Sequence, residues 1–98
     1  MEDITVSELK ERLDKGESLN FLDVREPWEY EEDNLGAKLI PLGELPSRMG
    51  EIEDWKDQEL IVHCRSGARS GNAKAYLSQN GFSKVRNVEG GIMAYRDL

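Results

Sequence analysis

The run Leu60-Ile61-Val62, set between Glu59 and His63, constrains this chain more than any other stretch. Consecutive apolar residues without alternation suit a strand buried on both faces, which is the situation of a central strand in a parallel sheet. Parallel neighbours cannot be joined by a tight hairpin, so such a strand demands helical crossovers. The rest of the chain offers them. Thr5 is placed to cap a helix, with Glu8 at its third position in a capping box. Val6, Leu9 and Leu13 then recur at helical spacing up to a stop at Gly16. Residues 20–24 (Asn-Phe-Leu-Asp-Val) read as a short strand, and Pro27 suits the first position of a brief helix through Glu32. Lys38-Leu39-Ile40 is a further short strand closed by Pro41. Leu42 to Met49 is predicted helical, with Pro46 kinking or restarting it unless it lies in a first turn.

After Cys64 a helical pattern carries Ala68, Ala73, Tyr76 and Leu77 and stops near Asn80-Gly81. Residues 84–88 form a last strand, Gly90-Gly91 a turn, and residues 92–98 a closing helix. Strands alternating with helices predict an α/β domain whose parallel sheet is covered on both faces. With 98 residues and neither repeat nor linker, residues 1–98 are expected to form one domain. Ligands of open parallel sheets bind beyond the carboxyl ends of the strands. Cys64 follows its strand directly, and Asp23 and Arg25 end or follow another, so the fold expectation brings them to one edge.

Cys64 opens the stretch Cys64-Arg65-Ser66-Gly67-Ala68-Arg69-Ser70. A free thiol titrates near roughly 8.5 and is mostly protonated at neutral pH. Three features here favour the thiolate. A helix N-terminus presents positive potential. Successive N–H groups from Arg65 to Ser70 can converge as an anion nest. The guanidinium groups of Arg65 and Arg69 add charge and can grip an oxyanion. Gly67 permits positive φ where the loop curls, and Ser66 and Ser70 can hydrogen-bond sulfur. A small buried apolar residue is the ordinary role of a lone cysteine. Two arginines and a glycine immediately downstream favour a reactive one. His63 is an obvious candidate base, but adjacent strand residues point to opposite faces, so it is expected to support the loop from behind.

Several functions are disfavoured. A lone cysteine forms no internal disulfide and no C-x-x-C pair, and with one histidine beside it no structural metal site is expected. A reducing compartment, the cytoplasm, fits this usage. A net charge of −7 argues against nucleic acid as a partner. No apolar run approaches the roughly 20 residues of a membrane span, and the acidic start lacks a signal-peptide pattern. The acidic runs 26–33 and 51–57 are read as solvated faces.

Five segments in order carry a resemblance. They are Phe21-Leu22-Asp23-Val24-Arg25-Glu26, Trp28-Glu29-Tyr30, Gly36-Ala37-Lys38-Leu39-Ile40-Pro41, the Cys64–Ser70 stretch, and Gly90-Gly91-Ile92-Met93-Ala94-Tyr95. Together they resemble the rhodanese-like sulfurtransferase domain over almost the whole length. The resemblance implies a three-layer α/β fold with a central five-stranded, mainly parallel sheet. It also implies transfer of sulfane sulfur through a persulfide on Cys64, without a cofactor, from thiosulfate or a persulfide donor to cyanide or a thiol. Arg65 and Arg69 would then orient the donor, and the backbone from Arg65 to Ser70 would hold the outer sulfur. Asp23 and Arg25 match a recurrent motif and are read as an ion pair fixing the sheet edge. Two departures stand out: Asp33-Asn34-Leu35 replaces a common Gly-His-Ile, and Tyr95 replaces the usual Trp.

Two other functions remain open. Cysteine-based phosphatases place five residues between cysteine and arginine; here Arg65-Ser66-Gly67-Ala68 makes four, a tighter cradle that suits one sulfur atom better than a tetrahedral phosphate. A noncatalytic binding or sulfur-carrier module is the other. The acidic balance opposes long-range capture of anionic donors and points to a protein persulfide as partner.

Overall fold

The computed structural model describes all of residues 1–98. Helix α1 (Val6–Asp14) leads to strand β1 (Phe21–Asp23), and helix α2 (Pro27–Glu32) leads to strand β2 (Lys38–Leu39). A 3₁₀ turn (Leu42–Glu44), helix α3 (Leu45–Arg48) and a second 3₁₀ segment (Met49–Trp55) cross to strand β3 (Leu60–His63). Helix α4 (Ala68–Gln79), strand β4 (Val85–Asn87) and helix α5 (Gly91–Arg96) complete the chain. Pro46 sits in the first turn of α3, where its missing N–H is no loss, and the predicted single helix becomes three short pieces.

The sheet has the order β2-β1-β3-β4, and every pair is parallel. It has four strands rather than the expected five. The fifth position is held by one residue: Ile4 forms a parallel bridge to Val88, donating its N–H to Asn87 O at 3.0 Å and accepting from Glu89 N–H at 3.0 Å. Thr5 ends this bridge by capping α1, its Oγ1 accepting from Glu8 N–H at 3.1 Å. The other half of the predicted capping box is absent, because the Glu8 carboxylate binds Arg86 at 3.0 Å across the sheet edge.

Alternation along the strands divides the core in two. Leu22, Leu60, Val62 and Cys64 face Ala73 and Leu77 of α4, together with Leu45 and Ile52. Phe21 and Ile61 face the opposite layer with Leu9, Val88 and the partly buried Tyr95. Helices therefore cover both faces, as the apolar run of β3 requires. Each fully buried Leu or Ile contributes about 1.5–3 kcal/mol, so the two layers hold the sheet edge firmly in register. That register sets Asp23 beside His63 and Val62 beside Asn87. No helix is long and apolar enough to cross a membrane.

Candidate active site at the Cys64 loop

The chain leaves β3 at His63, curls through residues 64–67 and enters α4 at Ala68. Gly67 caps that helix with φ of 110°, a conformation that excludes ordinary side chains. This curl turns N–H groups inward onto sulfur. Gly67 N–H donates to Cys64 Sγ at 3.1 Å, the Ser66 and Ser70 N–H groups also contribute, and Ser70 Oγ lies 3.3 Å from Sγ. Burial pushes the Cys64 thiol up, but the Ser70 hydroxyl and the N–H groups of Ser70, Gly67 and Ser66 outweigh it, so the net direction is down. Cys64 is only 1 % exposed, so sulfur sits at the bottom of the socket.

Two groups outside the loop hold this curl. Asn87, at the end of β4, accepts from Ser70 Oγ and donates from Nδ2 to Gly67 O at 3.1 Å. Gly91 lies against the backbone of Cys64 and Arg65, where a Cβ would come 2.6 Å from Cys64 O and collide with the Arg65 carbonyl as well. With no side chain there, Ile92 N–H can bond Cys64 O at 3.0 Å and Met93 N–H can bond Arg65 O at 3.1 Å.

The two loop arginines are placed differently. Arg69 forms a fork with Glu29 of α2, at 2.7 and 2.9 Å. That hydrogen-bonded pair raises the Arg69 guanidinium against the opposing effect of burial, with the negative charges of Cys64 and Asp23 adding to the rise. Its effect on Glu29 is opposite in sign: the Arg69 fork holds that carboxyl down at about 2. Arg65 is exposed and lines an adjoining cleft. Ser66 and Ala68 are exposed, while Ser70 is fully buried.

Asp23, Arg25 and His63 gather on the other side of the loop, all buried. The Arg25 guanidinium grips the Asp23 carboxylate at 2.8–3.0 Å and donates to Asp33 O at 2.8 Å, tying the end of α2 to β1. His63 packs against Phe21 with ring centroids 5.1 Å apart, and its Nδ1 lies 3.2 Å from Cys64 O. Its Nε2 is 3.4 Å from Asp23 Oδ2 but outside hydrogen-bonding geometry. Burial lowers the His63 imidazole, against the pull of Asp23, so the neutral ring is favoured. None of these three contacts sulfur through a side-chain hydrogen bond. No group of three or more His, Cys, Asp or Glu side chains is placed to hold a metal ion.

The residue pattern marks neither Asn87, nor the pairing of Glu29 with Arg69, nor the close packing of Gly91. Glu29 lies forty positions from Arg69 and Asn87 seventeen from Ser70, so no local spacing marks them. The two departures noted above are local. Asn34 Oδ1 accepts from Gly36 N–H at 2.9 Å to shape a turn, Asp33 pairs with Arg96 at 2.7 Å, and the Tyr95 ring lies 5.7 Å from the Arg96 guanidinium.

Comparison with known proteins gives a consistent result. Residues 5–98 match the family model described as Rhodanese-like domain. A sulfurtransferase of Allochromatium vinosum is 39% identical over 94 residues, covering 95% of this chain and 86% of that protein. The crystal structure of a rhodanese-like domain protein from Staphylococcus aureus superposes with a TM-score of 0.86 at 33% identity, covering 97% of this chain and 91% of that one. A rhodanese-related protein from Thermoplasma volcanium gives a TM-score of 0.84 at 32% identity, covering 99% and 92%.

Proposed function

The chain belongs to the rhodanese-like domain family, and from that premise we propose that it is a sulfurtransferase working through a persulfide on Cys64. The observation that carries this reading is the thiol socket: one buried sulfur faced by the N–H groups of Ser66, Gly67 and Ser70 and by the Ser70 hydroxyl, with its ionisation favoured. Such a socket stabilises a thiolate and then the terminal sulfur of a persulfide, and no separate base is required.

In the first half-reaction the Cys64 thiolate attacks the outer sulfur of thiosulfate or of a persulfide. A new S–S bond forms, the donor's S–S bond breaks, and its electron pair leaves with sulfite or a thiolate. In the second, cyanide or an acceptor thiolate attacks the outer sulfur on Cys64, and the Cys64 thiolate leaves. The cycle is redox-balanced and ping-pong. Arg65 at the mouth faces the incoming donor, and Arg69, held by Glu29, supplies positive potential from the first turn of α4. Asp23, Arg25 and His63 support the loop, and residues 1–98 act as one unit. A lone free thiol suits a reducing compartment such as the cytoplasm.

Intact-mass measurement after thiosulfate treatment tests this. A reducible gain of about 32 Da, one sulfur on a reactive thiolate, is expected, together with thiocyanate formation that Cys64→Ser abolishes. No gain with any donor, or aryl-phosphate hydrolysis without sulfur transfer, overturns the reading.

A further inference from the structure

The Ser70 hydroxyl carries one proton, and the fold offers it two acceptors. Cys64 Sγ lies 3.3 Å from Ser70 Oγ, and Asn87 Oδ1 lies 2.5 Å from it. Ser70 is fully buried, so solvent takes no share. The hydroxyl therefore bonds either sulfur or the amide oxygen, each at the other's expense.

Asn87 is held so that it cannot yield. Its Nδ2 donates to Gly67 O at 3.1 Å, and the reversed amide would set two oxygens against each other, so Oδ1 must face Ser70. Its backbone is clamped as well. The Asn87 N–H donates to Asp3 Oδ1 at 3.0 Å, and its carbonyl accepts from Ile4 N–H at 3.0 Å. Lys74 of α4 grips the same Asp3 oxygen at 2.7 Å. The sparsely filled fifth strand position thus fastens the residue that competes with sulfur.

The competition has a direction. With a neutral thiol, Ser70 donates to Asn87 and its oxygen accepts from the Cys64 S–H, so every group is satisfied. With a thiolate, sulfur needs the Ser70 proton, and Asn87 Oδ1 loses its donor while still pressed against the Ser70 oxygen. Asn87 therefore opposes the ionisation that the loop N–H groups favour. The charged and titratable groups around the loop are Arg69 with Glu29, Arg25 with Asp23, His63 and Arg65. None of them hydrogen-bonds the Asn87 side chain, so its influence passes through Ser70.

We propose that Asn87 is a positioning residue that sets the basicity of the Cys64 thiolate by competing for the Ser70 hydroxyl. A thiolate deprived of part of this bond is more basic. It is the better nucleophile when sulfur is loaded and the poorer leaving group when sulfur is discharged. A persulfide carries its charge on the outer sulfur, so the competition bears less on the loaded state. The balance between the two half-reactions is in this way set from β4. This deepens the reading above, and its kinetic part rests on it.

Asn87→Val tests the proposal. It deletes the amide, leaves the Oδ1 position unfilled and suits a strand. Gly67 O keeps its bond from Gly71 N–H at 3.0 Å. The pH midpoint of thiolate formation, followed by ultraviolet absorbance, should fall by about half a pH unit or more, about threefold in thiolate population. In a Ser70→Ala background the same change should leave the midpoint where it was. Above both midpoints, single-turnover loading from thiosulfate should slow about 1.7-fold and discharge to cyanide should quicken. A raised or unmoved midpoint overturns the proposal, as does an equal fall without Ser70. Slowing of both half-reactions, the mark of a loosened loop, overturns it too. The wild-type protein gives a reading that no folding defect can affect. Its Asn87 side-chain carbonyl resonance should move through the thiol's own midpoint and stay flat in Ser70→Ala; a flat wild-type resonance overturns the proposal. A lowered midpoint in a protein that takes sulfur from no donor overturns the sulfur-transfer reading and upholds the competition for the hydroxyl.

Discussion

Ser70→Ala isolates the hydroxyl that bonds the Cys64 sulfur. Ser70 has one proton and two acceptors, Cys64 Sγ at 3.3 Å and Asn87 Oδ1. A neutral donor bonded to an anion is worth about 1.5–3 kcal/mol when undivided. Sharing with the closer amide oxygen reduces the part felt by the thiolate to about 1 kcal/mol, a factor of about five in thiolate population. The N–H groups of residues 66, 67 and 70 survive the substitution, so the socket persists. The thiolate that remains is more basic and therefore more nucleophilic, by about twofold for a Brønsted slope of about 0.4–0.5. The two effects oppose each other, and pH separates them. Below the thiol's midpoint, alkylation by iodoacetamide should slow about 2.5-fold, since fewer thiolates outweigh better ones. Above it, where every molecule is ionised, the variant should react about twofold faster. The full pH–rate profile in both proteins is the assay. Superimposable profiles, or slower alkylation at every pH, would refute the assignment of this hydroxyl to thiolate stabilisation.

Two further perturbations test the frame around the loop. Gly91→Ala places a Cβ against the Cys64 and Arg65 carbonyls at φ of 62°. Left-handed backbone alone costs about 1–2 kcal/mol, so Tm should fall by about 10 °C with sulfur loading lost, and an unchanged Tm would remove the close-packing argument. Glu29, held at about 2 against 4.5 in an open chain, contributes stability that is fully present above 4.5 and disappears as pH falls towards about 2. Because Arg69 is 35 % exposed, screening limits the pair to about 1 kcal/mol. Urea midpoints should therefore separate wild type from Glu29→Gln at pH 7 and converge near pH 2; a constant separation would disprove the linkage. Glu59, held near 2 by Arg12 and then Arg86 against the effect of burial, adds to acid sensitivity in the same window.

Much of this architecture is legible in neighbouring residues. The unbroken apolar run of β3 requires a strand covered on both faces, and Cys64 at its end followed by Gly67 requires a curl into a helix N-terminus. These are local consequences of pleat and backbone freedom, so the α/β class, the sheet edge and the thiol loop need no knowledge of distant contacts. The residues flanking Ile4 likewise leave room for a single bridge, yet only the assembled sheet reveals that the fifth strand position is filled so sparsely. Tertiary structure alone decided the partners. Parallel register brings Asn87 beside the loop, α2 delivers Glu29 to Arg69, and the first residue of α5 delivers a side-chain-free surface to the Cys64 carbonyl. Arg65 and Arg69 look equivalent in sequence, four positions apart in one stretch after Cys64. They differ because one meets a carboxylate folded in from forty residues away and the other opens onto the cleft. Periodicity records which face of an element is buried, but not what another element places against it.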